Sequence, residues 1–212
     1  MSSVKVYSVP GSPFLAAVLF ALEERQASYA FVPWQLSDLR TEAHLAMHPF
    51  GRMPVMEHGD FGLYETQAML RYIAEAFPGE PLVPDDIRAR ARMNQLMGIC
   101  DWYFFPKFAS IAVWERVFKP QVTGQPADQA VIERSMPMGR TCIQEFARLM
   151  GEGPYLTGET LSLADIHWAP QIYYLALTPE GDELLGPHKA IKPWLARMRE
   201  RPAMKRTMLF GI

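Results

Sequence analysis

Cysteine is scarce in this chain, with only Cys100 and Cys142 among 212 residues. The two form no CxxC pair, which argues against a disulfide framework, a zinc site and a dithiol redox motif. That usage fits a reducing compartment, and a cytoplasmic location is expected. An excess of charge of one sign is also missing: 21 basic residues face 23 acidic ones. No basic stripe stands out, so no nucleic acid is expected as a partner. No apolar run approaches the ~20 residues of a membrane span. The opening MSSVKVYSVPGS turns too soon to hold the apolar core of a secretory signal, so no membrane partner is expected either. What is plentiful is methionine, 13 residues, and aromatic side chains, 12%. These read as core filler first and as a pliable apolar pocket second.

The first 78 residues alternate strand and helix signals. VKVYSV (4–9) reads as a strand, and FLAAVLFALEE after Pro13 as a helix. ASYAFVPW (27–34) is a second strand and LRTEAHLAMH (39–48) a modest helix. PVMEHGDFGLY (54–64) reads as a hairpin about His-Gly-Asp. ETQAMLRYIAEAF (65–77) is an amphipathic helix with Ala68, Met69, Tyr72, Ile73 and Ala76 on one side. This β-α-β-α-β-β-α order is that of a thioredoxin-like domain, over 1–78. PGEPLVPDD then reads as a linker, taken as 79–86. Residues 87–212 carry only helical patterns, over 87–118, about 126–151, about 162–176 and 190–199 with a short tail. The fold class is therefore α/β plus all-α. Ser162 and Asp165, in S-x-x-D spacing ahead of an apolar run, read as a capping box.

Three short stretches carry candidate chemistry. In VPGSPF, Ser12 lies between a strand end and a helix that opens on Pro13. It is either a plain N-cap or the donor of a hydrogen bond to a thiolate lying over the helix end, which would favour the anion. In HPFGRMPVM, Pro54 stands at the mouth of a strand. A cis bond there would turn the Met53 backbone outward, where an extended peptide could add as a strand. In LYETQAM, Glu65 and Thr66 open a helix, whose N-terminus suits a carboxylate. The pair either caps that helix or holds an α-amino acid head, with Glu65 on the ammonium and Thr66 on the carboxylate. No GxSxG elbow is present, so a serine nucleophile is not expected.

KVYSVPGSPFLAAV, HPFGRMPVM, LYETQAM and TLSLADIHWAP occur in the order and at the spacings of the cytosolic glutathione transferases. The chain resembles that family over nearly its whole length, and VWERVFKP and SLADIHWAPQIYYL resemble the phi class or a bacterial relative of it. The resemblance implies a glutathione transferase that conjugates the glutathione thiolate to small hydrophobic electrophiles, with glutathione as co-substrate, no other cofactor and no metal. It implies a cis Pro54, Met53 paired with the cysteinyl unit, Arg52 near glutathione, and Glu65 and Thr66 on the γ-glutamyl head. Ser12 would stabilise the thiolate; Ser8, inside the strand, is its nearest rival. The glycyl carboxylate is expected to meet Arg40 or His44.

Phe14, Phe105 and Phe108 are the expected electrophile contacts, chosen from the aromatic run of the first long helix of the second domain and the neighbourhood of Ser12. His48 stands where the family more often has Asn and is read as a loop residue; His167 is read as a core histidine. A homodimer is implied. Two other readings remain: a glutathione peroxidase acting on organic hydroperoxides, and a non-catalytic protein that binds hydrophobic ligands. Cysteine-type members are disfavoured because no Cys lies near the first strand.

Overall fold

The computed structural model describes residues 3–208. They group into two compact units, one holding residues up to Pro81 together with those from Glu200, the other Leu82–Arg199. In the first unit the order is β1 (Val4–Ser8), α1 (Pro13–Glu24), β2 (Tyr29–Pro33), α2 (Glu42–Met47), β3 (Val55–His58), β4 (Phe61–Tyr64) and α3 (Thr66–Ala76). The four strands lie in the order β2-β1-β3-β4. β1 runs parallel to β2, and β3 antiparallel to both β1 and β4. This is the thioredoxin-like arrangement expected from the sequence.

Helix α1 has no polar stripe. Leu15 through Leu22 are all buried, as befits a helix covered on several sides. It packs on α3 and on a last helix, Pro202–Thr207, which belongs to this unit although it lies at the far end of the helical sequence. Two ion pairs hold that helix: Arg201 to Glu24 at 2.7 Å and Arg206 to Glu23 at 2.6 Å. Arg25, just after α1, donates to the carbonyls of Glu80 (2.7 Å) and Phe77, so one guanidinium fixes the chain leaving α3. The buried stripe of α3 is Thr66, Met69, Leu70 and Ile73. It is turned from the face read in the sequence: Ala76 is exposed, and Tyr72 is half-buried with its hydroxyl on His58 Nδ1 at 2.8 Å.

The second unit contains α4 (Ile87–Ile99), a widened π-helical stretch Cys100–Ala109, α5 (Ser110–Val113), a second π stretch Trp114–Phe118, α6 (Lys119–Thr123), α7 (Gln129–Leu149), α8 (Leu163–Leu175), α9 (Pro179–Leu185) and most of α10 (Ile191–Glu200), with Pro202–Thr207 above completing the order as α11. A helical pattern was expected over 87–118. Pro106 lies inside the first π stretch; lacking an N–H it cannot close an i−4 bond, and widened turns are one way a helix absorbs such a break. Helix α9 was not read from the sequence at all. The core of the second unit runs along α8, where Trp168 is buried between Phe104 and Phe146.

The capping box forms at the start of α8, with Ser162 N–H on Asp165 Oδ2 at 2.9 Å. Asp165 is fully buried and accepts three further bonds, from Ser162 Oγ, Leu156 N–H and Trp194 Nε1. Burial pushes its carboxyl above the ordinary value against the pull of those donors.

Helix α7 approaches the first π stretch at Gly139. A Cβ added there would lie 2.7 Å from the Phe108 ring. Both partners sit in packed core, so Gly139→Ala is expected to cost about 1–3 kcal/mol, read as a lower urea midpoint with an unchanged slope.

Candidate functional site

The three stretches singled out in the sequence lie in the first unit, at the β1–α1 loop, before β3 and at the start of α3. Ser12 has extended backbone, φ −64° and ψ 125°, and its Oγ accepts the Leu15 N–H at 3.4 Å. It is thus an N-cap, as one of its two readings required. The cap uses an oxygen lone pair, so the hydroxyl hydrogen is not spent on it. The cap and the donor roles are compatible.

Two neighbouring hydroxyls are less available. Ser8 has no exposed surface and donates to the Val9 carbonyl at 3.4 Å. Tyr7 donates to Glu57 Oε2 at 2.6 Å, and burial together with that carboxylate pushes its phenol up to about 12. A phenol held so high stays protonated at neutral pH, and its one hydrogen is already given away.

The Met53–Pro54 bond is cis. Among the described residues the Met53 backbone N–H and C=O make no hydrogen bond. Its side chain, however, is engaged: Sδ accepts the Val9 N–H at 3.4 Å, and the Val9 carbonyl in turn accepts the Ser12 N–H at 3.4 Å. The thioether therefore ties the segment before β3 to the loop that carries Ser12. Nothing in the sequence signals this link, because the partners are 44 positions apart.

At the start of α3, Glu65 occupies the cap position with φ 69° and ψ 114°, yet makes no side-chain cap bond. Left-handed φ in a non-glycine residue costs energy and tends to persist where function needs it. The carboxylate is exposed, Thr66 beside it is buried, and no side chain closes the helix end. The first-turn N–H groups thus lack the cap that would compete with an incoming carboxylate.

His44 does not have the role considered for it. It is buried, Nδ1 accepts the Arg40 N–H at 2.8 Å, and Nε2 lies 2.8 Å from the Arg52 carbonyl. A backbone N–H can only donate, so Nδ1 is the bare nitrogen and Nε2 carries the hydrogen that goes to Arg52. Both ring nitrogens are spent on holding the loop, and none remains for a carboxylate. Arg40 is exposed, with φ 67°, and its stem lies across Gly51, next to Arg52 in sequence. Arg52 is exposed as well. His48 is buried against Tyr64, ring centroids 4.6 Å apart, and burial lowers its pKa. It packs as a buried ring within the first unit rather than standing free in the loop.

Of the expected electrophile contacts, Phe14 is half-buried in the first turn of α1, and Phe105 is half-buried in the first π stretch. Phe108 is corrected: it has no exposed surface and packs edge-on to Phe104 at 5.6 Å. On a helix with two widened turns, straight-helix spacing misassigns which aromatic faces outward.

Two family models match the chain, "Glutathione S-transferase, N-terminal domain" over residues 2–75 and "Glutathione S-transferase, C-terminal domain" over 129–197. Glutathione S-transferase F7 of Arabidopsis thaliana is 31% identical, covering 98% of this chain and 100% of that protein. Glutathione S-transferase F14 of the same plant is 32% identical over 92% of this chain and 78% of that one. Among solved structures, glutathione transferase F7 of Populus trichocarpa superposes with a TM-score of 0.85 at 27% identity, covering 98% of this chain and 100% of that one.

Proposed function

Because the chain belongs to the glutathione S-transferase family, with phi-class proteins among its relatives, we propose that it binds glutathione on its first unit and delivers the thiolate to small apolar electrophiles. The extended cysteinyl backbone pairs with Met53. Thr66 and the open first turn of α3 take the γ-glutamyl carboxylate, and Glu65 takes its ammonium. Arg40 and Arg52 offer cations to the glycyl carboxylate. Ser12 donates its hydroxyl hydrogen to the sulfur, and the N-terminus of the twelve-residue helix α1 adds positive potential. The thiol proton leaves to solvent, and the thiolate forms a C–S bond to the electrophilic carbon as its leaving group departs with the bonding pair. Phe14 supplies apolar surface for the electrophile, and two copies associate as a homodimer.

The observation that carries this reading is the Ser12 hydroxyl, which caps α1 through its oxygen while keeping a hydrogen to give. The test is calorimetric titration of the chain with glutathione, alongside conjugation of an activated aryl halide followed by absorbance. Saturable binding and turnover are expected. An absence of glutathione binding overturns the proposal.

Glu65 gives a separable prediction. Glu65→Gly relieves the left-handed strain and is expected to raise unfolding stability by about 1 kcal/mol. It also removes the charge facing the ammonium, so glutathione binding should weaken by roughly 10- to 100-fold. Urea unfolding and calorimetry on the same sample should therefore move in opposite directions.

A further inference from the structure

A second cluster of chemically potent side chains lies in the helical unit and takes no part in the proposed glutathione chemistry. Cys100 and Asp101 are consecutive at the start of the first π stretch, and His167 projects from α8. Their ligand atoms, one sulfur, one carboxylate oxygen and one imidazole nitrogen, all lie within 4.8 Å of one another. Cys100 and His167 have no exposed surface, and the Asp101 side chain is 26% exposed. His167 Nε2 and Asp101 Oδ1 are 2.6 Å apart.

We propose that Cys100, Asp101 and His167 form a binding site for a zinc-type divalent ion. The donor set is a thiolate, an imidazole and a carboxylate, the mixture that suits zinc, with a fourth position left for water on the side where Asp101 meets solvent. Tetrahedral zinc needs its sulfur and nitrogen ligands about 3.6 Å apart and its nitrogen and oxygen ligands about 3.4 Å apart. The present spacing reaches both by a side-chain adjustment on the order of 1 Å, in which the imidazole hydrogen of His167 moves from Nε2 to Nδ1, freeing Nε2 for the ion, and the Cys100 thiol proton goes to solvent. Larger rearrangement is not required, because the two helices are already locked in register. Trp168 Nε1, one residue beyond His167, donates to the Leu96 carbonyl of α4 at 2.8 Å. The ion would cross-link two helices that are 66 positions apart in sequence, a pairing that no cysteine or histidine spacing announces.

The test is titration of the metal-free full chain with Co(II), followed by optical absorption. One equivalent is expected to give a thiolate-to-cobalt charge-transfer band and tetrahedral visible bands, displaced stoichiometrically by zinc. Cys100→Ser should abolish the charge-transfer band, whereas Cys142→Ser should leave it in place. Asp101→Asn, at a partly exposed position, should weaken Co(II) binding at least ten-fold. Absence of the band in the wild type, its survival in Cys100→Ser, its loss in Cys142→Ser, or unchanged affinity in Asp101→Asn would each overturn the assignment. Glutathione binding, which uses other residues, is read separately and is expected to survive all three substitutions.

Discussion

Replacing Ser12 by Ala is expected to lower kcat/KM at neutral pH by about 100-fold while leaving glutathione binding nearly intact. Loss of one well-placed donor to a developing or resident anion costs about 10²–10³ in rate. The sign with pH follows from the thiol. On the proposed reading the donor and the α1 terminus stabilise the thiolate in the wild type, so the bound thiol should ionise below the ~8.5 of an ordinary cysteine. In the variant it ionises higher, and the thiolate fraction at neutral pH shrinks. The deficit should be largest below the wild-type ionisation and should close as pH rises through that of the variant. Thiolate absorbance of bound glutathione and the pH profile of kcat/KM measure the same shift independently. The cap bond is long, at 3.4 Å, so the stability loss should stay at or below ~1 kcal/mol, the typical worth of an N-cap. An Ala variant whose pH profile matches the wild type would remove Ser12 from the chemistry. The alternatives are thin, since Tyr7 is committed to Glu57 and Ser8 is buried.

Asp165→Ala carries the largest expected loss of stability, about 3–5 kcal/mol. The carboxylate receives the Ser162 N–H and hydroxyl, the Leu156 N–H and the Trp194 indole N–H. Its removal strands donors that have no solvent to turn to, and each buried unpaired group costs about 1–3 kcal/mol. The result should appear as a large drop in the urea midpoint and lost near-ultraviolet signal from Trp194. Asp165→Asn should be intermediate: it preserves shape and one acceptor oxygen but turns an amide hydrogen toward existing donors. A loss under ~1 kcal/mol for Asp165→Ala would mean that the α10 contact and the cap are not what holds α8 in place.

Legibility in the sequence followed the range of the interactions. The Ser12 cap, the cis bond before Pro54 and the helix start at Thr66 lie where the immediate neighbours pointed: a proline one residue on, a strand run just after, a helix pattern just after. The order of strands and helices was readable for the same reason. His44 was misjudged because its partners, the Arg40 N–H and the Arg52 carbonyl, are brought round it by the loop and leave no trace in local spacing. Phe108 was misplaced because the π stretches change the angular step per residue, so a 3.6-residue count drifts off the true face. Helix α9 did carry a signal that went unread. Thr178 accepts the Gly181 N–H and Pro179 sits in the first turn, but Pro-Glu-Gly looks like a turn. Gly181 is there because a Cβ would collide with the Leu175 carbonyl at the end of α8.

The clasp of α11 on α1 has a consequence for how the molecule is made. Arg201 reaches Glu24 across 177 positions of sequence, and Arg206 reaches Glu23 across 183. The entire helical unit is therefore spliced into the first unit, between Pro81 and Glu200. During synthesis, α1 must wait for nearly two hundred further residues before its last covering helix leaves the ribosome. Throughout that interval a helix with no polar face has one apolar side uncovered, the kind of transient surface that invites aggregation. The nascent chain should thus be at its most dependent on chaperones late in translation, long after the strands of the sheet have left the ribosome.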